Sequence, residues 1–200
     1  MLETMALACE RGGLSLFANL SFALGPGGLL RVRGANGSGK TTLLRTLAGL
    51  TRPAAGSLRW RGEPIGDDYR KEMLFLGHAA AVKDEMTVLE NLAFAVQLSG
   101  LNAMNCRSAL QQLGIARLAD LPARYLSQGQ RRRAALARLA LSSDVPLWLL
   151  DEPFAALDAE GIAQLSALCA AHLAAGGMLV LTSHQDVPIS SSAPQEIELR

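Results

Sequence analysis

The run Gly34-Ala35-Asn36-Gly37-Ser38-Gly39-Lys40-Thr41-Thr42 constrains this chain more than any other. It fits G-x-x-x-x-G-K-[ST] and stands between an apolar run, Leu29-Leu30-Arg31-Val32, and leucines at helical spacing, Leu43, Leu44, Leu47 and Leu50. A phosphate cradle needs that strand–loop–helix order. Glycines let the backbone curl around an anion with no Cβ in the way. Successive N–H groups then aim at it from the positive end of a helix. Lys40 is the one lysine of the first 70 residues, in an arginine-rich stretch. A point ammonium suits the outer phosphates where a planar guanidinium does not. The Thr41 hydroxyl can ligate Mg²⁺ in such a loop. The alternative is a glycine-rich turn that merely caps a helix, and the flanking strand and helix speak against it.

Composition narrows the rest. Two hundred residues suit one domain with a real core. With 50% hydrophobic and 18% charged residues, the chain is not of the disordered class. Its glycines and prolines show no period of three, which excludes a collagen-like chain. The net charge of +1 carries no nucleic-acid or membrane signature. Residues 1–62 nevertheless hold eight basic and two acidic residues, whereas 139–200 hold one basic and eight acidic. That asymmetry fits an anion site built early and a metal or acid site built late, or chance. Cys9, Cys106 and Cys169 are scattered and odd in number, which argues against a disulfide framework and for a reducing compartment. The first ten residues show no basic n-region of a signal peptide. From Gly161 to Gln185 no charged side chain occurs, but Gly176-Gly177 divides the stretch into a helix, a turn and a short strand, each too short to span a bilayer.

Periodicity then sets the organisation. Ser57 to Arg61 alternates as an edge strand, and Met73 to Leu76 reads as a buried strand. From about Thr87 to Ser142 the pattern is helical, with Leu89, Leu92, Ala93 and Val96 on one face. Strand texture returns at Leu147-Trp148-Leu149-Leu150 and at Met178 to Leu181, around a helix marked by Leu165 and Leu168. Strands alternating with helices predict an α/β fold with a mostly parallel sheet. Asp151-Glu152 falls at the carboxyl end of a buried strand, the edge where open α/β sheets bind ligands. Alone, this pair is equally well a solvated acidic turn. With a phosphate loop upstream, Asp151 reads as a Mg²⁺ holder, acting through water, and Glu152 as the acceptor of a proton from an attacking water.

Between loop and acid pair stand Leu126-Ser127-Gln128-Gly129-Gln130 and Arg131-Arg132-Arg133. This resembles the LSGGQ signature of ABC ATPases, with Gln128 replacing its first glycine. Pro153-Phe154-Ala155-Ala156-Leu157-Asp158 is similar to the D-loop of that family, and Leu181-Thr182-Ser183-His184 to the strand that ends in its switch histidine. The resemblance covers the whole chain. It implies a P-loop NTPase of ABC type: a mostly parallel sheet with an antiparallel β edge and an inserted helical subdomain. A core of 1–83 and 143–200 and a helical subdomain over about 84–142 are expected. It implies ATP and Mg²⁺ as ligands, with Thr41 and Asp151 at the metal. Two copies would pack head to tail, so that Ser127, Gln128 and Gly129 of one meet the γ-phosphate held by residues 34–42 of the other. Glu152 would be the general base and His184 a γ-phosphate contact.

The chain departs from the family at three places. His78, in Leu76-Gly77-His78, stands where the Q-loop glutamine belongs, and it suits a weak contact to water or Mg²⁺, contact with a partner, or no role at all. Gln128 lacks the freedom of glycine. The adenine-stacking aromatic is missing, and Arg11 lies near its place, while Phe17 reads as core.

Within the family the LSQGQ variant, Gly77-His78 and the opening Cys9-Glu10-Arg11-Gly12-Gly13 closely resemble the ATP-binding subunits of cytochrome c maturation, the haem-exporter type. That resemblance implies integral membrane permease subunits and haem-handling membrane proteins as partners, at the cytoplasmic face of a bacterial inner membrane. Cys169-x-x-His172 reads as helix packing, so no direct haem ligation is expected. Arg131 to Arg133 read as solvated arginines at a helix start, not as a nucleic-acid patch. The rivals are an ATPase of a drug or lipid exporter, a soluble ABC ATPase of DNA repair or translation, and a non-hydrolytic binding module. Only about 90 residues separate loop and signature, with no heptads, against the long coiled coil of the repair type. Lys40, Asp151, Glu152 and His184 speak against a non-hydrolytic module.

Overall fold

A computed structural model describes residues 1–100, 103–183, 189–190 and 194–199. Along the chain run β1 (Leu2–Arg11), β2 (Leu14–Leu24), β3 (Leu29–Gly34), α1 (Lys40–Leu47), β4 (Ala55–Trp60), β5 (Glu63–Pro64), α2 (Asp67–Lys71) and β6 (Met73–Leu76). Next come α3 (Val88–Leu98), α4 (Cys106–Gln112), α5 (Gln128–Leu136), β7 (Leu147–Leu150), α6 (Ala159–Ala174), β8 (Met178–Thr182) and β9 (Pro194–Leu199). Short 3₁₀ turns at Ala116–Leu118, Ala123–Tyr125 and Ala137–Leu141 connect and follow the middle helices.

Five strands form a parallel sheet in the order β6-β7-β8-β3-β9. The β7 strand is buried on both faces, as a central parallel strand between two layers must be. Alternation divides it cleanly. Trp148 and Leu150 join one core with Leu165 and Cys169 of α6 and with Leu92, Val96, Leu110 and Leu136 of the middle helices. Leu147 and Leu149 join a second core with Leu43, Leu44 and Leu47 of α1 and with the antiparallel sheet. That sheet has the order β2-β1-β4-β5.

The long β1–β2 hairpin went unread in the sequence, although its Gly12-Gly13 turn has φ of +60° and +79°, values that a two-residue hairpin of type I′ requires. The β9 strand was equally unread. Two further expectations are corrected. Leu50, at helical spacing with Leu43, Leu44 and Leu47, does not continue α1 and is exposed, because the helix ends at Leu47 and Gly49 turns the chain away at φ +68°. The Ser57–Arg61 strand is not a free edge along its length, since Arg59 and Trp60 pair with β5 as well as β1.

A capping box closes the start of α3, with Thr87 and Glu90 bonding each other's backbone N–H. Buried Asn91 bonds both backbone groups of Lys83 and the carbonyls of Met86 and Thr87. It thereby ties the segment after β6 to the middle helices.

Candidate functional site

The carboxyl ends of β3, β7 and β8 converge. The β3 strand runs into the loop at Gly34, whose φ is +145°, and a Cβ there would lie 2.4 Å from the Leu199 carbonyl oxygen and 2.5 Å from Ser38 Oγ. Glycine is the residue that fits. Gly39 caps α1 with φ +97° and offers no side chain to its first N–H groups, which leaves them for an anion. The buried Lys40 ammonium lies across the loop and donates to Gly34 O at 2.8 Å and Ala35 O at 2.9 Å. Gly34 ends β3 and Lys40 opens α1, so residues 34–42 run from strand through loop into helix, the order expected from their spacing.

Asp151 is buried at the end of β7. Its Oδ2 accepts from the Thr41 hydroxyl at 2.8 Å, and its Oδ1 from the Thr182 hydroxyl at 2.8 Å. Thr182 Oγ1 in turn accepts the Glu152 N–H at 2.8 Å. The hydroxyl of Thr41 and the carboxylate of Asp151 are hard oxygen donors, the chemistry Mg²⁺ takes when substrate phosphates and water complete its shell. Among the described residues there is no cluster of three His, Cys, Asp or Glu side chains that could hold a metal ion. Glu152 follows with φ +47° and its carboxylate partly exposed. It lines a pocket with Lys40, Thr41, Asn36 and Gly37, whose outer wall is Arg11, Leu14 and Leu16. Phe17 is buried core, as read from the sequence.

His78 stands on the loop after β6, exposed, with Nδ1 3.8 Å from Glu152 Oε2. It also borders a cavity of about 450 Å³ between that loop, α3 and α5, lined by Arg45, Ala81, Leu92 and Arg138. Arg132 reaches the same place from α5. Here the expectation of solvated arginines fails: Arg132 and Arg133 are buried, because α5 lays Arg132 on the ends of β6 and β7 and Arg133 against the Leu113 carbonyl and Asp158. Burial pulls the Arg132 guanidinium below the usual arginine range, opposed by the charges of Asp151 and Glu152. Arg131 pairs with Asp84.

Ser127 caps α5 in a reciprocal box with Gln130, and Gln128 is exposed in the first turn. A Cβ on Gly129 would lie 2.7 Å from Ala156 O, so glycine is required where α5 meets the segment after Glu152. Ser127 and Gly129 line a polar pocket with Arg133, Asp158 and Glu160, separate from the pocket of Lys40 and Glu152. Arg133 pairs with Asp158, whose carboxyl is held below its usual range by the Gly161 N–H and that guanidinium. Signature and phosphate loop thus do not meet within one chain. His184 lies outside the described residues. Sequence reasoning passed over Thr182, visible as a polar residue ending an apolar strand, and Arg132, whose burial no local pattern announced.

A family profile described as ABC transporter matches residues 17–155. The chain belongs to the ABC transporter family. It is 50% identical over 195 residues, covering 95% of this chain and 91% of the relative, to the cytochrome c biogenesis ATP-binding export protein CcmA of Aromatoleum aromaticum. It is 48% identical, over the whole of both chains, to the protein of the same name from Dechloromonas aromatica. The solved dimeric structure of a bacterial ABC transporter cassette shares the ABC fold with a TM-score of 0.84 at 21% identity, over 99% of this chain and 94% of that one. The parallel sheet, the antiparallel sheet and the intervening helices are therefore those of an ABC ATPase. Among the described residues no helix is long and apolar enough to cross a membrane.

Proposed function

We propose that this chain binds and hydrolyses ATP as the nucleotide-binding subunit of a membrane transporter serving cytochrome c maturation, in haem export or release of a haem-loaded chaperone. The observation that carries hydrolysis is the Thr41–Asp151 hydrogen bond, which brings phosphate loop and acid pair together across 110 residues. The relatives named for cytochrome c biogenesis carry the biological assignment.

The residues divide the work. The N–H groups of Gly34 to Thr42 and the Lys40 ammonium bind the phosphates of ATP. Thr41 and Asp151 would hold Mg²⁺, which when bound neutralises charge on the phosphates. Glu152 takes a proton from water as the water oxygen attacks the γ-phosphorus, and the bond to the bridging oxygen breaks toward ADP. His184 contacts the γ-phosphate. Ser127, Gln128 and Gly129 close the partner copy's site in a head-to-tail homodimer, a reading supported by their separation from the chain's own loop. Residues 84–142 act as a helical subdomain on the core of 1–83 and 143–200.

The cavity between the His78 loop, α3 and α5 is the docking place for an integral membrane permease, with haem-handling subunits beyond it. That arrangement puts the chain at the cytoplasmic face of the inner membrane. Haem itself need not be touched: Cys169 and His172 are buried in α6 packing.

Co-purification of tagged protein from detergent-solubilised membranes, with partners identified by mass, tests the assignment. Recovery of a small permease with haem-handling subunits is the expected result. A different permease leaves the ATPase and removes the haem role. Release of phosphate from ATP, lost in Lys40→Ala, tests the chemistry.

A further inference from the structure

One guanidinium joins three parts of the site. Arg132 Nη1 donates to Gly77 O and His78 O, each at 3.0 Å. Its Nη2 donates to Asp151 O at 2.7 Å and Glu152 O at 2.8 Å. The side chain is 6% exposed and, among the described residues, forms no salt bridge. A buried cation is retained only where its donors are satisfied. Here four main-chain carbonyls accept from both Nη groups, two from the loop after β6 and two from the acid pair after β7, and only the Nε–H is left without a partner among the described residues.

The consequence falls on Glu152. A glutamate at φ +47° occupies a sparsely populated region and persists only when its surroundings over-determine it. Both ends of this residue are held: the N–H by Thr182 Oγ1, the carbonyl by Arg132 Nη2. Arg132 also lies in α5, five residues beyond the Ser127 cap. The helix that presents the signature is therefore bonded directly to the backbone of the acid and to the loop of His78.

We infer that Arg132 is a positioning residue for hydrolysis. Its planar fork sets the main chain of Glu152 and His78, and through it the seating of α5 controls the aim of the Glu152 carboxylate. This rests on the reading that Glu152 serves ATP hydrolysis. Lysine cannot replace it fully, since three donors on one point do not span two carbonyl pairs as a fork does.

The test uses the full chain and compares wild type, Arg132→Ala, Arg132→Lys and Glu152→Gln for ATP affinity, KM and kcat. In Arg132→Ala, kcat is expected to fall about 10- to 100-fold, the scale of a misaimed catalytic group. KM and ATP affinity stay within about threefold, because phosphate binding is untouched. Arg132→Lys falls between. Millimolar guanidinium, far below denaturing concentration, restores several-fold kcat to Arg132→Ala through the adjoining cavity, and restores none to Glu152→Gln. Packing alone would give no such rescue. Wild-type kcat in Arg132→Ala, or parallel loss of affinity and kcat in both Arg132 variants, overturns the inference. If Arg132→Ala does not fold, Arg132→Lys decides: a kcat loss at constant KM supports the role, and wild-type kcat removes it. Absence of hydrolysis in wild type overturns the parent reading and this one with it; hydrolysis in wild type matched by the variants overturns this one alone.

Discussion

The Thr182 hydroxyl donates to Oδ1 of Asp151 and accepts the N–H of Glu152, both at 2.8 Å, so the end of β8 fixes the two carboxylate residues that follow β7. This bond pair crosses between hydrogen-bonded neighbours in the parallel sheet. It leaves Oδ2 of Asp151 to Thr41, on the phosphate loop.

Thr182→Val should keep the shape and remove the bridge. Asp151 then loses a buried donor and the Glu152 N–H its acceptor, at a cost of about 1–3 kcal/mol in stability. A roughly tenfold loss of kcat should accompany it, from misplacement of Glu152. Thr182→Ser should recover most of both. Denaturant melts with steady-state kinetics provide the check, and a fully active Thr182→Val would show that β8 has no share in setting the acid pair.

Glu152→Gln should bind ATP, accumulate as a dimer and lose hydrolysis by about 10²- to 10⁴-fold, the usual contribution of a general base. Size-exclusion chromatography with ATP and a phosphate-release assay read the two effects separately. Unimpaired turnover would take the base role from Glu152.

His78→Ala should alter stimulation of ATPase activity by the membrane partner more than it alters basal ATP binding, since His78 faces both Glu152 and the cavity beside α3. Equal loss of both would place it in the nucleotide site alone. The measurement is ATPase activity with and without the co-purified membrane subunits.

His172 sets a pH dependence of stability. Its ring stacks on Trp148 with centroids 3.8 Å apart, and Nε2 lies 3.3 Å from Met178 O. Burial holds its pKa below the ordinary histidine value of 6.5, against the carbonyl, which acts to raise it. The unfolded chain therefore binds this proton more readily than the folded one. Stability is at its full value above the unfolded pKa and declines as pH falls below about 6.5. His172→Phe should remove that decline between pH 6.5 and 5. Thermal melts across the range test it, and an unchanged slope would assign the acid sensitivity elsewhere.

Legibility followed the range of the interactions. Leu29 to Val32, residues 34–42, Met73 to Leu76 and Leu147 to Leu150 were readable because apolar runs, glycine placement and Lys40 carry their meaning within a dozen residues. The β1–β2 hairpin was not, since its strands are irregular: register shifts near Thr4 and Leu7, with Ala6 at φ +46°, break the alternation that would mark it. The exposure of Arg132 and Arg133 was misjudged for a related reason. A run of three arginines looks solvated until the ends of β6 and β7 are laid against Arg132, and the Leu113 carbonyl and Asp158 against Arg133.

The sequence by itself determined the family, the phosphate loop, the acid pair and the signature, because each is a short motif whose chemistry depends on residue type and spacing. Tertiary structure alone decided that Thr41 and Thr182 share Asp151, that Arg132 collects carbonyls from two strand ends, and that signature and phosphate loop line separate pockets. Those relationships depend on strand order. The order β6-β7-β8-β3 places side by side residues that stand 110 and 31 positions apart in the chain, and no local pattern encodes which strand will pair with which.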